Sequence, residues 1–189
     1  MKIKTLTVSA IFLALLIVCS QISVPLPPVP ITLQTFAVFL IGLILPVKYA
    51  FLTTATYLLA GLVGLPVFAQ WSGGFSKVLS PTFGFVISFI IASGFMSLYL
   101  RDKTSKSLKD YIFACLIGTV IIYLVGLTYL TIILNLVMNN QYTFVQILNF
   151  AFIPFIPGDI LKMVLAVIVA KKTEKQQVNY FSLSDKKSY

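Results

Sequence analysis

Pro154-Phe155-Ile156-Pro157-Gly158-Asp159-Ile160-Leu161-Lys162-Met163 leads into the apolar run from Val164 to Ala170. Asp159 is the only acidic residue inside any apolar span of the chain, and Lys162 is the only basic one. Positions i and i+3 share a helix face, so a helix here points the carboxylate and the ammonium the same way. A charge at bilayer depth costs several kcal/mol unless it is paired, solvated or functional, which makes this pair the first candidate site. Pro157 suits the first turn of a helix and a carboxylate suits its N-terminus, so the competing reading is an ion pair that only closes a helix end.

Outward from this stretch the chain is apolar. Hydrophobic residues make up 59% of the 189 and charged residues 10%, far from the composition of a soluble domain. Repeated apolar runs of roughly 20 residues give an all-α integral membrane protein, one bundle of about six transmembrane helices. There is no histidine, and both cysteines, Cys19 and Cys115, lie inside apolar runs. Most zinc chemistry, a histidine-based triad and a disulfide framework are thereby excluded, and no metal or cofactor is expected.

The net charge of +9 does not indicate a nucleic-acid partner, because of where the charges fall. Lys2 and Lys4 precede the first span, Lys48 separates the second and third, and Arg101, Lys103, Lys106 and Lys109 separate the fourth and fifth. Lys171, Lys172, Lys175, Lys186 and Lys187 follow the last span, whereas the alternate connections hold only Lys77. By the positive-inside rule both termini are cytoplasmic.

The spans are expected at about 5–24, 32–45, 47–64, 82–100, 111–138 and 157–171, with Lys48 and Lys171 at the inner boundaries of theirs. The first lacks a small-x-small cleavage site and is read as a retained helix. Its Ala10-Ile11-Phe12-Leu13-Ala14, like Ala166 to Ala170, is a small-xxx-small pattern that suits either a docking partner or internal packing. Val24-Pro25-Leu26-Pro27-Pro28-Val29-Pro30 then forms a stiff, extended outside loop. The second span, at about 1.5 Å per residue, covers about 21 Å of an apolar layer about 30 Å thick. The last is about as short, so both leave irregular backbone that survives only where it is buried or lines a cavity.

The outside segment 65–81 holds the only tryptophan, Trp71, beside Gly73 and Gly74. It reads equally as a flat cover over a ligand or as an interfacial anchor. Tyr142 to Ile156 is expected as a loop or short helix over the bundle, and the polar stretch 173–189 as an unstructured cytoplasmic tail after a binding domain of residues 1–172. Long, aromatic outside loops over short helices describe a cavity open to the outside, with Asp159 and Lys162 in its wall.

Three ordered motifs resemble those of the BioY family, the biotin-binding S components of energy-coupling factor (ECF) transporters. They are Val29-Pro30-Ile31-Thr32-Leu33-Gln34, then Gly61 to Phe68 with Gly73-Gly74 and Pro81-Thr82-Phe83-Gly84-Phe85, and finally Pro154 to Lys162. The resemblance covers nearly the whole chain as far as Lys172. It implies a six-helix subunit that captures biotin outside the cell and works with a transmembrane coupling protein and two cytoplasmic ATPases. This chain itself carries no Gly-x-x-x-x-Gly-Lys-Ser/Thr phosphate loop. Ala10 and Ala14 match the family's Ala-x-x-x-Ala contact for the coupling protein. The family's usual tyrosine after the Pro-Thr-x-Gly run is Phe85 here, so no polar role is assigned to it.

With biotin as the implied ligand, Asp159 is expected to accept a ureido N–H in a charge-assisted bond. Lys162 balances that charge and donates to the ureido carbonyl or another acceptor. Gln34 and Gln70 are candidate amide partners, and Trp71, Gly73, Gly74 and Tyr123 are expected to shape the walls. Two other classes compete. An intramembrane enzyme would need more than one carboxylate beside a lysine, and a stand-alone secondary biotin transporter would move protons through Asp159 and Lys162 without ATPases.

Overall fold

The computed structural model describes residues 3–103 and 105–185. Among them lie helices α1 (Ile3–Gln21), α2 (Gln34–Ile44), α3 (Val47–Leu62), α4 (Phe83–Arg101), α5 (Leu108–Ile132), α6 (Phe144–Ala151) and α7 (Ile156–Asp185). Four helical stretches of the described residues are long and apolar enough to cross a membrane: Ile3–Gln21, Phe83–Arg101, Leu108–Val137 and Phe144–Glu174.

The short helix is the central one. α2 has 11 residues, of which eight are buried, and it packs against α1, α4 and α7. A helix that is apolar all round has no face for solvent, and enclosure by neighbours satisfies it. At about 1.5 Å per residue it rises only about 16 Å. The Ser97 hydroxyl of α4 donates to the Leu45 carbonyl at 2.7 Å, which closes one end of α2.

The chain above the other end of α2 is folded more tightly than an extended proline loop. α1 stops at Gln21, three residues before the expected Val24, because Ser23 and Val24 form strand β1 (Ser23–Val24). This pairs antiparallel with β2 (Ile31–Thr32), Ser23 opposite Thr32 and Val24 opposite Ile31. Val24 precedes a proline, which favours extended backbone over helix at that residue.

α5 begins at Leu108, before the expected Tyr111, because Ser107 and Asp110 form a capping box. The Ser107 N–H donates to the Asp110 carboxylate at 2.8 Å, and the Asp110 N–H to the Ser107 hydroxyl at 3.3 Å. These bonds satisfy two N–H groups that a helix start otherwise leaves open. α6 starts with the same device, Thr143 with Gln146. Its Ile147 and Ala151 pack with Tyr123, Leu127, Leu130 and Leu134 of the α5 region and with Val29 of the hairpin.

α7 corrects the expectation of a short last helix. It continues past Lys171 to Asp185, 30 residues in all, so the polar stretch is helical well beyond the apolar pattern. Thr173-Glu174-Lys175-Gln176-Gln177 is mostly made of unbranched, helix-favouring residues. Lys171 and Glu174 also pair at 2.5 Å across one turn. Residues 186–189 of the expected tail lie outside the described residues.

Candidate functional site

Two helices send regular stripes into one cavity of about 220 Å³, and two more add a pair of neighbouring residues each. From α7 and the residue before it come Phe155, Asp159 and Lys162, spaced i, i+4, i+7. α4 and its N-cap supply Thr82, Phe85, Val86 and Phe89, at i, i+3, i+4 and i+7. α2 presents Gln34 and Thr35 from its first turn, and α5 adds Ile122 and Tyr123. The α7 and α4 spacings are those of one helix face, so those two walls follow from local helix geometry. The hairpin contributes Pro28, Val29 and Pro30, and the α3–α4 connection contributes Phe68 to Gln70, Ser72, Lys77 and Ser80. All three loops at this end therefore meet over the same space, since Phe155 belongs to the α6–α7 connection.

The ion pair lies in the buried part of the wall. Asp159 is 7% exposed and Lys162 is 6% exposed, and the lysine Nζ donates to Asp159 Oδ1 at 2.9 Å. The Thr35 hydroxyl donates to the same oxygen at 3.3 Å. The Tyr123 hydroxyl donates to Oδ2 in a short hydrogen bond. A carboxylate offers about four lone-pair positions, so Oδ2 retains room for a further donor, and the ammonium retains two further N–H groups. Tyr123 is aimed by its ring, which meets Phe152 at 4.7 Å and Phe85 at 6.5 Å, both edge-on. Thus Phe85, which has no hydroxyl, acts on the site by packing.

Gln34 lies beside this group, buried, with its amide fixed at both ends. Its Nε2 donates to the Tyr57 hydroxyl at 2.7 Å and its Oε1 accepts from the Thr32 hydroxyl at 2.9 Å. The second amide hydrogen has no acceptor among the described residues.

The α3–α4 connection separates the expected residues. Gln70 and Trp71 both have left-handed backbone, φ 59° and 55°, which costs a residue with a side chain about 1–3 kcal/mol. The result turns Gln70 into the cavity wall, while Trp71 is 70% exposed and does not line it. Gln21 of α1 holds this strained turn: its Oε1 accepts from the Trp71 N–H at 2.8 Å and its Nε2 donates to the Phe68 carbonyl at 3.2 Å.

Gly73 and Gly74 do not line the cavity either. A Cβ on Gly73 would sit 2.2 Å from the Leu65 carbonyl oxygen, and Gly74 has φ 97° with its N–H on the Gly61 carbonyl at 2.7 Å. Both glycines let the loop fold closely on itself, which is the physical reason for their place in the motif. Sequence reasoning overlooked Thr35, Lys77 and the aromatic stripe of α4. The stripe was visible as the spacing of residues 82, 85, 86 and 89, and Thr35 as one of three polar residues crowded at the start of an apolar span.

A bundle with four membrane-crossing stretches, closed by loops over a small cavity with a buried ion pair, is a multi-pass membrane protein built to hold a small molecule. Residues 1–178 match the BioY family. The chain belongs to that family. It is 36% identical over 175 residues to the biotin transporter BioY of Thermotoga maritima, covering 93% of this chain and 98% of the relative. A probable biotin transporter BioY of Pyrococcus horikoshii is 39% identical over 174 residues, covering 92% and 98%. Both relatives are named as transporters, not enzymes. The fold matches the crystal structure of an S component for biotin from an ECF-type ABC transporter, with a TM-score of 0.82, 28% identity and 92% of each chain covered.

Proposed function

We propose that this chain is the substrate-binding subunit of an ECF-type uptake transporter and that its ligand is biotin. The observation that carries the reading is the buried Asp159–Lys162 pair facing a small cavity, with acceptor capacity on one group and donor capacity on the other. The ureido ring of biotin presents two N–H donors and one carbonyl. Asp159 accepts a ureido N–H, Lys162 donates to the carbonyl, and Gln34 and Gln70 supply further amide contacts. Tyr123 holds the Asp159 carboxylate in place and closes one wall. The cavity is smaller than the usual drug-sized site of about 300 Å³ or more, which favours a compact metabolite.

In this reading α1 to α5 and α7 are the six spans, α6 lies over the cavity end, and both termini are cytoplasmic. Residues 1–172 form the binding domain in the cell membrane, and residues 173–189 extend into the cytoplasm. The charge distribution supports this orientation. Release inward depends on a transmembrane coupling protein and two ATPase subunits, which dock on the face of α1 that carries Ala10 and Ala14. Both alanines are exposed, whereas Ala166 and Ala170, at the same spacing, are buried inside the bundle.

Calorimetric titration of the purified chain with biotin should give saturable binding at one site; no binding would remove the ligand assignment. Replacing Ala10 and Ala14 together by tryptophan should leave that binding unchanged and abolish ATP-driven uptake by the assembled transporter. Uptake that persists would place the docking face elsewhere.

A further inference from the structure

Tyr57 is a buried polar group with no role in the site so far. Its burial follows from α3, where Ala50, Thr54, Tyr57 and Gly61 fall at i, i+4, i+7 and i+11 on one buried face. The residue is 0% exposed and does not line the cavity, yet it touches two residues that do. Its ring packs edge-on with Phe68, centroids 5.5 Å apart, and its hydroxyl accepts from Gln34 Nε2 at 2.7 Å. Gly61, one turn further along α3, leaves room for Phe68, since a Cβ there would sit 2.1 Å from that ring.

The amide of Gln34 has a polarity set by its neighbours. The Thr32 hydroxyl accepts the Gln34 backbone N–H at 3.2 Å and donates its own hydrogen to Gln34 Oε1 at 2.9 Å. With Oε1 held by Thr32 and one Nε2 hydrogen held by Tyr57, the second Nε2 hydrogen is left for the cavity that Gln34 lines. Gln34 is 7% exposed, and an amide N–H without a partner at that depth is costly, so it favours a ligand that brings an acceptor. Thr35, the next residue, donates to Asp159 at 3.3 Å, which ties this first turn of α2 to the Asp159–Lys162 end of the cavity.

We infer that Tyr57 is a positioning residue for the ligand: from outside the cavity it turns the Gln34 amide so that its N–H, together with the Lys162 ammonium, donates to one carbonyl oxygen of the ligand head. This rests on the biotin reading, in which that oxygen is the ureido carbonyl and the two donors take its two lone pairs. Asp159 takes a ureido N–H, so the head meets two donors and one acceptor. The Tyr57 hydroxyl acts on the ligand only through Gln34, while its ring serves packing against Phe68.

The test is a double-mutant cycle of Tyr57→Phe and Gln34→Met, read in two ways on the purified full chain. Calorimetry gives biotin affinity, and a stoichiometry of one site per chain shows that each variant is folded. Difference infrared spectra with biotin isotope-labelled at the ureido carbonyl give that carbonyl's stretching frequency, which rises when a hydrogen-bond donor is withdrawn. Tyr57→Phe and Gln34→Met should each weaken biotin by about three- to tenfold, the range of one neutral hydrogen bond, and each should raise the frequency. In the Gln34→Met background, Tyr57→Phe should change affinity by less than about twofold and leave the frequency where it is. A merely structural Tyr57 would lower affinity by the same factor in both backgrounds without moving the frequency, and that result overturns the proposal. An unchanged frequency in Gln34→Met overturns it as well. Either result leaves the biotin reading standing, whereas failure of the parent chain to bind biotin overturns both.

Discussion

Two ion pairs of the same composition sit at opposite ends of the bundle, and their surroundings separate structure from function. Lys103 and Asp110 meet at 2.5 Å in the α4–α5 turn, where the aspartate also accepts from the Ser107 N–H and hydroxyl at 2.8 and 2.7 Å. Two of the three bonds that this carboxylate accepts serve the start of α5. Lys162 and Asp159 meet at 2.9 Å with side chains 8% and 11% exposed, and the groups around them leave acceptor and donor capacity turned to a cavity. Both aspartates occupy the first turn of a helix, so position along a helix does not distinguish them. Each carboxylate accepts three hydrogen bonds from the chain, so what distinguishes them is that the capacity left on Asp159 and Lys162 faces a cavity and that left on Asp110 does not.

The most damaging way to break this contrast is to remove one member of the buried pair. Lys162→Met leaves the Asp159 charge buried without its cation, and losing one partner of a buried pair costs about 3–5 kcal/mol. Biotin binding should become undetectable by calorimetry, and the unfolding midpoint in detergent should fall clearly. A variant with parent-like stability would show that Thr35 and Tyr123 alone can carry the carboxylate.

A smaller effect comes from the strap at the cavity rim. Gln21→Ala removes the side chain that holds the left-handed Gln70–Trp71 turn to α1. Loss of one or two neutral hydrogen bonds should speed biotin release by about two- to fivefold, measured by chase with unlabelled ligand. Trp71 is the only tryptophan, and its emission should shift in this variant because its backbone N–H loses its acceptor. An unchanged release rate would mean that the loop is held from elsewhere.

Much of this was legible in the sequence because the decisive residues are rare. A lone acidic and a lone basic residue in apolar spans stand out, and helical spacing alone placed Asp159 and Lys162 on one face. The helices were legible from apolar length, four of the stretches being long and apolar enough to cross a membrane, with ends misplaced where local hydrogen bonding decides them, at the Ser107–Asp110 box and the Ser23–Thr32 pairing. The far end of α7 was hidden because helix propensity persists after the apolar pattern stops. Composition could not give direction within the α3–α4 connection. Gln70 and Trp71 are neighbours with similar φ, yet only one lines the cavity, and that depends on a bond from Gln21, 50 residues away. Lys77 was visible as the lone charge of the outside loops, but its place in the wall needed the folded turn.

The most direct measurement is a crosswise one, biotin affinity and thermal unfolding for Asp159→Asn and Asp110→Asn side by side. Asp159→Asn should weaken biotin by at least about tenfold, the loss expected for a charge-assisted bond, and, because it too breaks the buried pair, lower the unfolding midpoint while the protein stays folded. Asp110→Asn should lower the unfolding midpoint by loosening the start of α5 and leave biotin affinity unchanged. Parent-like affinity in Asp159→Asn, with its effect confined to stability, would make that carboxylate a helix-closing group like Asp110 and contradict the account.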